Sequence, residues 1–119
     1  MKPLFLLLLF TFILSADPIV TWNNPTTHDF GDIDHKKPVQ HEFSFTNISE
    51  EPFVIDNVRV ACGCTSPDWP KEPILPDSTA TITIEFDAEM KGYFYKWIKV
   101  YFSNQRKAEK LYIEGFVEE

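Results

Sequence analysis

Thr79-Ala80-Thr81-Ile82-Thr83-Ile84-Glu85-Phe86 alternates without interruption: Ala80, Ile82, Ile84 and Phe86 fall on one side of an extended chain, Thr79, Thr81, Thr83 and Glu85 on the other. Side chains two apart share a strand face, whereas a helix would scatter these eight around its circumference. Isoleucine and threonine are also residues that a pleated, half-buried surface accommodates well. The stretch predicts a strand with one face in a core and the other in water.

The same alternation recurs upstream. In Val39 to Asn47, Val39, His41, Phe43 and Phe45 point one way and Gln40, Glu42, Ser44 and Thr46 the other. Phe53 to Val60 reads as the next strand, with Phe53, Ile55, Val58 and Val60 inward; the parity shift at Asp56-Asn57 predicts a bulge. Ile19 to Trp22 is an expected edge strand, closed by Asn23-Asn24-Pro25. Thr26 to Ile33 is extended, with Gly31 marking a bulge or bend.

Downstream, Tyr93 to Phe102 is a longer strand with two partly apolar faces: Phe94, Ile98, Val100 and Phe102 form one, Tyr95, Trp97 and Tyr101 the other. Leu111, Ile113 and Val117 give a final strand its inward face, and Gly115 allows a close approach. Cys62 to Ser78 carries Pro67, Pro70, Pro73 and Pro76, so it is expected to be a crossing loop, pinned by Trp69. No segment shows a helical period. The pattern predicts an all-β protein, an immunoglobulin-like antiparallel β-sandwich of about seven strands.

The chain has 119 residues, and Met1 to Ala16 follows the plan of a secretory signal peptide: Lys2, an apolar run from Leu4 to Leu14, then Leu-Ser-Ala. That run is shorter than the about 20 apolar residues a membrane-spanning helix needs. Cleavage after Ala16 would leave 17–119, one domain with one core, exported to a periplasm or to the cell surface and extracellular space, with no membrane insertion. Losing Lys2 moves the net charge from −7 to −8. An acidic surface argues against nucleic acid as a partner.

Five stretches stand out together: His28-Asp29-Phe30-Gly31-Asp32-Ile33, Phe43-Ser44-Phe45-Thr46-Asn47, Cys62-Gly63-Cys64-Thr65, the Gly92, Phe94, Lys96, Ile98, Val100 pattern, and Leu111-Tyr112-Ile113-Glu114-Gly115. With them the chain resembles the bacterial family called domain of unknown function 1573, an immunoglobulin-like domain of exported proteins. The resemblance covers nearly all of the chain after the leader. One departure stands out: the family usually has Pro-Gly before the alternating strand, and this chain has Pro76-Asp77.

Both cysteines, Cys62 and Cys64, lie in one turn-like stretch, too close in sequence to form the inter-sheet bridge of immunoglobulin domains. Three readings stay open: a passive thiol pair, a labile disulfide, and a soft metal site. Export favours oxidation. A bridge across one residue would be readily reduced and would stabilise little, because it closes a minimal loop. Cu(I) would suit two thiolates with a third ligand from His28, His35 or His41. Two cysteines are half a structural zinc set, so the metal stays unknown.

His41 shares a strand face with Phe43 and Phe45, which favours a packed histidine over a catalytic one. No Gly-x-Ser-x-Gly elbow is present, and Glu50-Glu51 and Glu118-Glu119 sit in a turn and a tail. Asn47-Ile48-Ser49 matches a glycosylation acceptor but reads as incidental in a bacterial family. Tyr95, Trp97 and Tyr101, with Tyr93 and Lys99 among them, form a candidate binding platform, since such rings favour interfaces; cover by the chain's own loop through Trp69 is the alternative.

These readings predict an exported binding or scaffold module with a protein partner, no cofactor and no enzymatic activity. The alternative is a thiol-redox or copper-handling protein using Cys62 and Cys64.

Overall fold

The computed structural model describes residues 17–119, and the expected signal peptide, 1–16, lies outside them. Eight strands follow in order: β1 (Val20–Trp22), β2 (Thr27–Ile33), β3 (Val39–Asn47), β4 (Ile55–Val60), β5 (Thr65–Asp68), β6 (Thr79–Phe86), β7 (Gly92–Phe102) and β8 (Glu109–Val117). They form two four-stranded sheets ordered β1-β3-β6-β5 and β2-β8-β7-β4. The described residues contain no helix.

The core lies between the sheets, where the inward residues of the alternating runs meet. Phe43, Phe45, Ile82, Ile84, Ile98, Val100, Leu111 and Ile113 are fully buried. Trp22 and Phe53 extend the aromatic packing through Phe45 and Phe102. Burial of such side chains contributes about 1.5–3 kcal/mol each relative to exposure, and it is the force that sets the register of both sheets.

Two expectations need correction. Thr65–Asp68, placed in a crossing loop, is an edge strand paired antiparallel with the end of β6, Thr65 opposite Phe86 and Pro67 opposite Ile84. Proline is tolerated there because an edge strand needs ladder donors on one side only. Secondly, the sheets are not wholly antiparallel, because β2 runs parallel to β8, with Thr27 opposite Tyr112 and Ile33 opposite Val117.

Two bulges fall where the sequence marks them. The β2–β8 register shifts between Asp29 and Asp32, with Gly31 at φ 69°, and the β4–β7 register shifts between Ile55 and Asn57. The Asp29 carboxylate accepts the Gly31 N–H at 2.8 Å and so fixes the first bulge. Pro76-Asp77 makes the turn that Pro-Gly would make. Asp77 adopts φ 64°, and the Ser78 N–H closes on the Leu75 carbonyl at 3.0 Å.

Asn47 is fully buried, and its Nδ2 donates to the carbonyls of Glu51 and Ile74, both at 2.9 Å. Its Oδ1 accepts from the Ser49 N–H and hydroxyl. With both amide protons engaged inside the fold, this residue holds the turn after β3 and has no room for a glycan.

Candidate functional site

The outer faces of the two sheets differ in kind. On the β1-β3-β6-β5 sheet the outward residues are polar and uncharged or acidic: Gln40, Glu42, Ser44 and Thr46 on β3, and Thr79, Thr81, Thr83 and Glu85 on β6. Water solvates such a face without help. The β2-β8-β7-β4 sheet instead turns rings outward.

Inward Phe94, Ile98, Val100 and Phe102 on β7 force Tyr93, Tyr95, Trp97, Lys99 and Tyr101 to the other side. The β7–β8 register sets Tyr93 beside Phe116, Tyr95 beside Glu114, Trp97 beside Tyr112 and Lys99 beside Lys110. Tyr93 is 67% exposed, Tyr95 50% and Phe116 47%. The aromatic stripe is therefore open. Trp69 does not cover it; that ring packs at the margin of the core with the Lys71 ammonium over it at 3.2 Å.

Rings and cations on this face are mutually ordered. Tyr95 and Tyr112 stack at 5.1 Å, 17° apart. The Lys99 ammonium lies 4.6 Å from the Trp97 ring and the Arg59 guanidinium 5.7 Å from that of Tyr101. Cations over ring faces are attracted by the ring quadrupole. The Tyr93 hydroxyl donates to Glu114 at 3.0 Å, a bond that raises its pKa above the ordinary phenol value.

Charge is sorted along the strands. Arg59, Lys99 and Lys110 occupy one row across β4, β7 and β8, whereas Asp29 and Glu114 form an acidic row four residues along β8 from Lys110, across β2 and β8. Like charges directly opposite on a sheet destabilise it, by an amount on the order of 0.2–1 kcal/mol per pair. The only ion pair among the described residues joins Lys37 to Asp34, so no acid lies within ion-pair distance of the cationic row.

Sequence reasoning found the β7 half of this face and missed Tyr112, Glu114, Phe116, Lys110 and Arg59. The signal for the β8 residues was present. Tyr112, Glu114 and Phe116 alternate with the inward Leu111, Ile113 and Val117, and the polar turn before them implies a hairpin with β7. Arg59 needed the bulge in β4 to be placed to the residue.

Cys62 and Cys64 lie in the turn that carries the chain from β4 in one sheet to β5 in the other. They are joined in a disulfide with Cα atoms 5.2 Å apart. The Thr65 N–H reaches the Cys62 carbonyl at 3.3 Å, and the Cys64 carbonyl accepts from the Asp87 N–H at 2.9 Å. The Thr65 side chain is buried, its hydroxyl 3.6 Å from the Cys64 sulfur and 3.9 Å from that of Cys62. A methyl on Gly63 would touch nothing, so the outer side of the turn is open. A shallow cleft beside it is lined by Cys64, Phe86, Asp87, Met90, Lys91 and Lys96, among others.

The histidines do not join the cysteines. His28 and His41 stack at 3.6 Å between the sheets, where β2 faces β3, and the Asn24 amide donates to His41 Nε2 at 3.4 Å. His41 is held below its ordinary pKa by burial and by the positive charge of His28, against an opposing pull from Glu42. His35 instead bonds the Glu89 carbonyl at 2.9 Å. Among the described residues no group of three His, Cys, Asp or Glu side chains is placed to hold a metal.

The family model described as "Protein of unknown function (DUF1573)" matches residues 20–117. The chain belongs to that family. No curated protein matches it. Among solved structures, a protein of unknown function from Porphyromonas gingivalis W83 is similar with a TM-score of 0.71 and 13% identity, over 83% of this chain and 46% of that one. The secreted serine protease VesC of Vibrio cholerae matches at 0.61 and 11% identity, over 82% of this chain and 23% of that one. The PapD-like domain 7 of human CEP192 matches at 0.64 and 8% identity, over 89% of this chain and 92% of that domain. The chain thus spans less than half of the P. gingivalis and VesC chains, and at these identities the likeness shows a shared β-sandwich fold alone.

Proposed function

We propose that the chain is an exported binding or scaffold module, without enzymatic activity or cofactor, that docks a protein partner on the outer face of the β2-β8-β7-β4 sheet. One observation carries the reading: Tyr93, Tyr95, Trp97 and Phe116 stand in water on one sheet while the opposite sheet offers threonine, serine and glutamate. A sandwich of this size needs no exposed aromatic face to fold, and exposed apolar patches of this kind mark interaction sites. The leader-like 1–16 supports export to a periplasm or cell surface.

The test replaces Trp97 and Tyr101 by serine. Pull-down from envelope extracts with residues 17–119 as bait is expected to lose its specific partner in the double variant, while the thermal midpoint falls by only a few degrees. A large fall in the midpoint with undiminished capture would turn the rings into structural cover and end the proposal.

A second reading, thiol redox at Cys62 and Cys64, draws on the open outer side of their turn and on Lys91 and Lys96 in the adjoining cleft. Nearby cations stabilise a thiolate. An external dithiol would supply two electrons and two protons, opening the bond to two thiols and leaving as a disulfide. Copper handling is the weaker form, because no third ligand from the described residues joins the pair. Thiol labelling and metal analysis of anaerobically purified protein, beside its double Cys→Ser variant, separate these readings from the first.

A further inference from the structure

We infer that the partner on this face is a second copy of the chain, laid face to face with its strands antiparallel to the first. The inference rests on the reading of that face as the binding surface and adds who occupies it.

The arrangement of charge argues for it. Along β7 and β8 the face runs through the row of Tyr95 and Glu114, the row of Trp97 and Tyr112, and the row of Lys99 and Lys110. Acid stands on one side of the central rings and base on the other. A two-fold axis in the plane of the face, perpendicular to the strands and passing over the Trp97 row, reverses the strand direction. It sets Trp97 against Trp97 and brings Glu114 of each copy over Lys110 of the other. Both outward charges of β8 then meet their opposites, twice, by symmetry, while Lys99 lies over the Tyr95 ring of the other copy.

A partner that is merely acidic would neutralise the lysine row and be repelled at Glu114 and Asp29. A merely basic one would fail at the other end. The strip satisfies itself only when turned end for end, and no acid of the described residues forms an ion pair with the cationic row.

Size sets the strength. Four strands about 4.8 Å apart and some five rows about 6.8 Å apart give roughly 500 Å² per copy, below the about 800 Å² per partner of a standard interface. The association is therefore weak, with a dissociation constant on the order of tens of micromolar or higher, and is sensitive to salt because it rests on charge pairs between exposed side chains.

Sedimentation of residues 17–119 from micromolar to millimolar concentration tests the idea. The wild type is expected to pass from monomer to dimer, with salt shifting it back. Glu114→Lys and Lys110→Glu, each alone, place like charges opposite at both ends, so each should stay monomeric at concentrations where the wild type dimerises. Mixed together, the two single variants should form a heterodimer, and the double variant E114K/K110E should dimerise again. A variant that failed to fold would not recover on mixing. A wild type that stays monomeric at millimolar concentration in low salt overturns the inference, as does a dimer indifferent to both substitutions. If that monomer still loses a heterologous partner on Trp97→Ser and Tyr101→Ser, the docking face stands and only the second copy is excluded.

Discussion

Gly115 sits where β2, β7 and β8 come closest: a methyl there would meet the Phe94 ring at 2.8 Å and the Gly31 carbonyl at 2.9 Å. Neither neighbour can withdraw, since one is a core ring and the other the backbone of a bulge. Gly115→Ala is expected to cost about 1–3 kcal/mol, read as a lower urea midpoint at unchanged slope. Asp77 works in the opposite sense. Its φ of 64° is a conformation glycine adopts freely and other residues at some cost, so Asp77→Gly should raise stability by about 0.5–1 kcal/mol. His41, stacked on His28, adds a pH dependence. The ordinary value is 6.5, and His41 in the fold lies lower because of burial and His28. Between the lowered value and 6.5 the unfolded chain binds more protons than the folded one. The contribution of His41 is thus fully present above 6.5 and is lost as pH falls through the folded value. Urea midpoints should drop in that window, and His41→Asn should flatten the slope there; an equal slope in the variant would assign it to other groups.

At the scale of elements, legibility followed burial. The strands Val39–Asn47 and Thr79–Phe86 were readable to the residue because each has one face in the core, and period-two alternation reports that directly. Thr65–Asp68 was not, since an edge strand four residues long with a proline in it has too few inward positions to alternate. The parallel pairing of β2 with β8 was equally hidden: alternation fixes which way a side chain points and says nothing of the neighbour's direction. The same limit applied to the site. The outward rings of β7 were visible as a stripe, while their ordering by Tyr112, Glu114 and Lys110 required the hairpin register. The turn between β4 and β5 makes its own prediction. A disulfide closing so short a loop removes little freedom from the unfolded chain, so Cys62→Ser with Cys64→Ser should cost about 1.5 kcal/mol or less. A loss of several kcal/mol, measured by denaturant unfolding, would mean that the bridge supports the β4–β5 crossing itself.

Over the whole molecule, an acidic chain of net charge −7 gathers Arg59, Lys99 and Lys110 in one row of one face. The net acidity makes copies of the chain repel one another, and the cationic row is a local exception to it on the aromatic face. On the proposed reading the sandwich is two-sided: the β1-β3-β6-β5 sheet presents a polar outer face to water, and the outer face of the β2-β8-β7-β4 sheet is the one that would meet a partner. The most direct check is to follow backbone amide resonances of residues 17–119 while the bound fraction is raised, by concentration or by an added partner. The account predicts shifts along Tyr93 to Tyr101 and Lys110 to Phe116, with Thr79 to Glu85 unmoved. Shifts gathered instead on Thr79 to Glu85, or on the Cys62 to Thr65 turn alone, would contradict it.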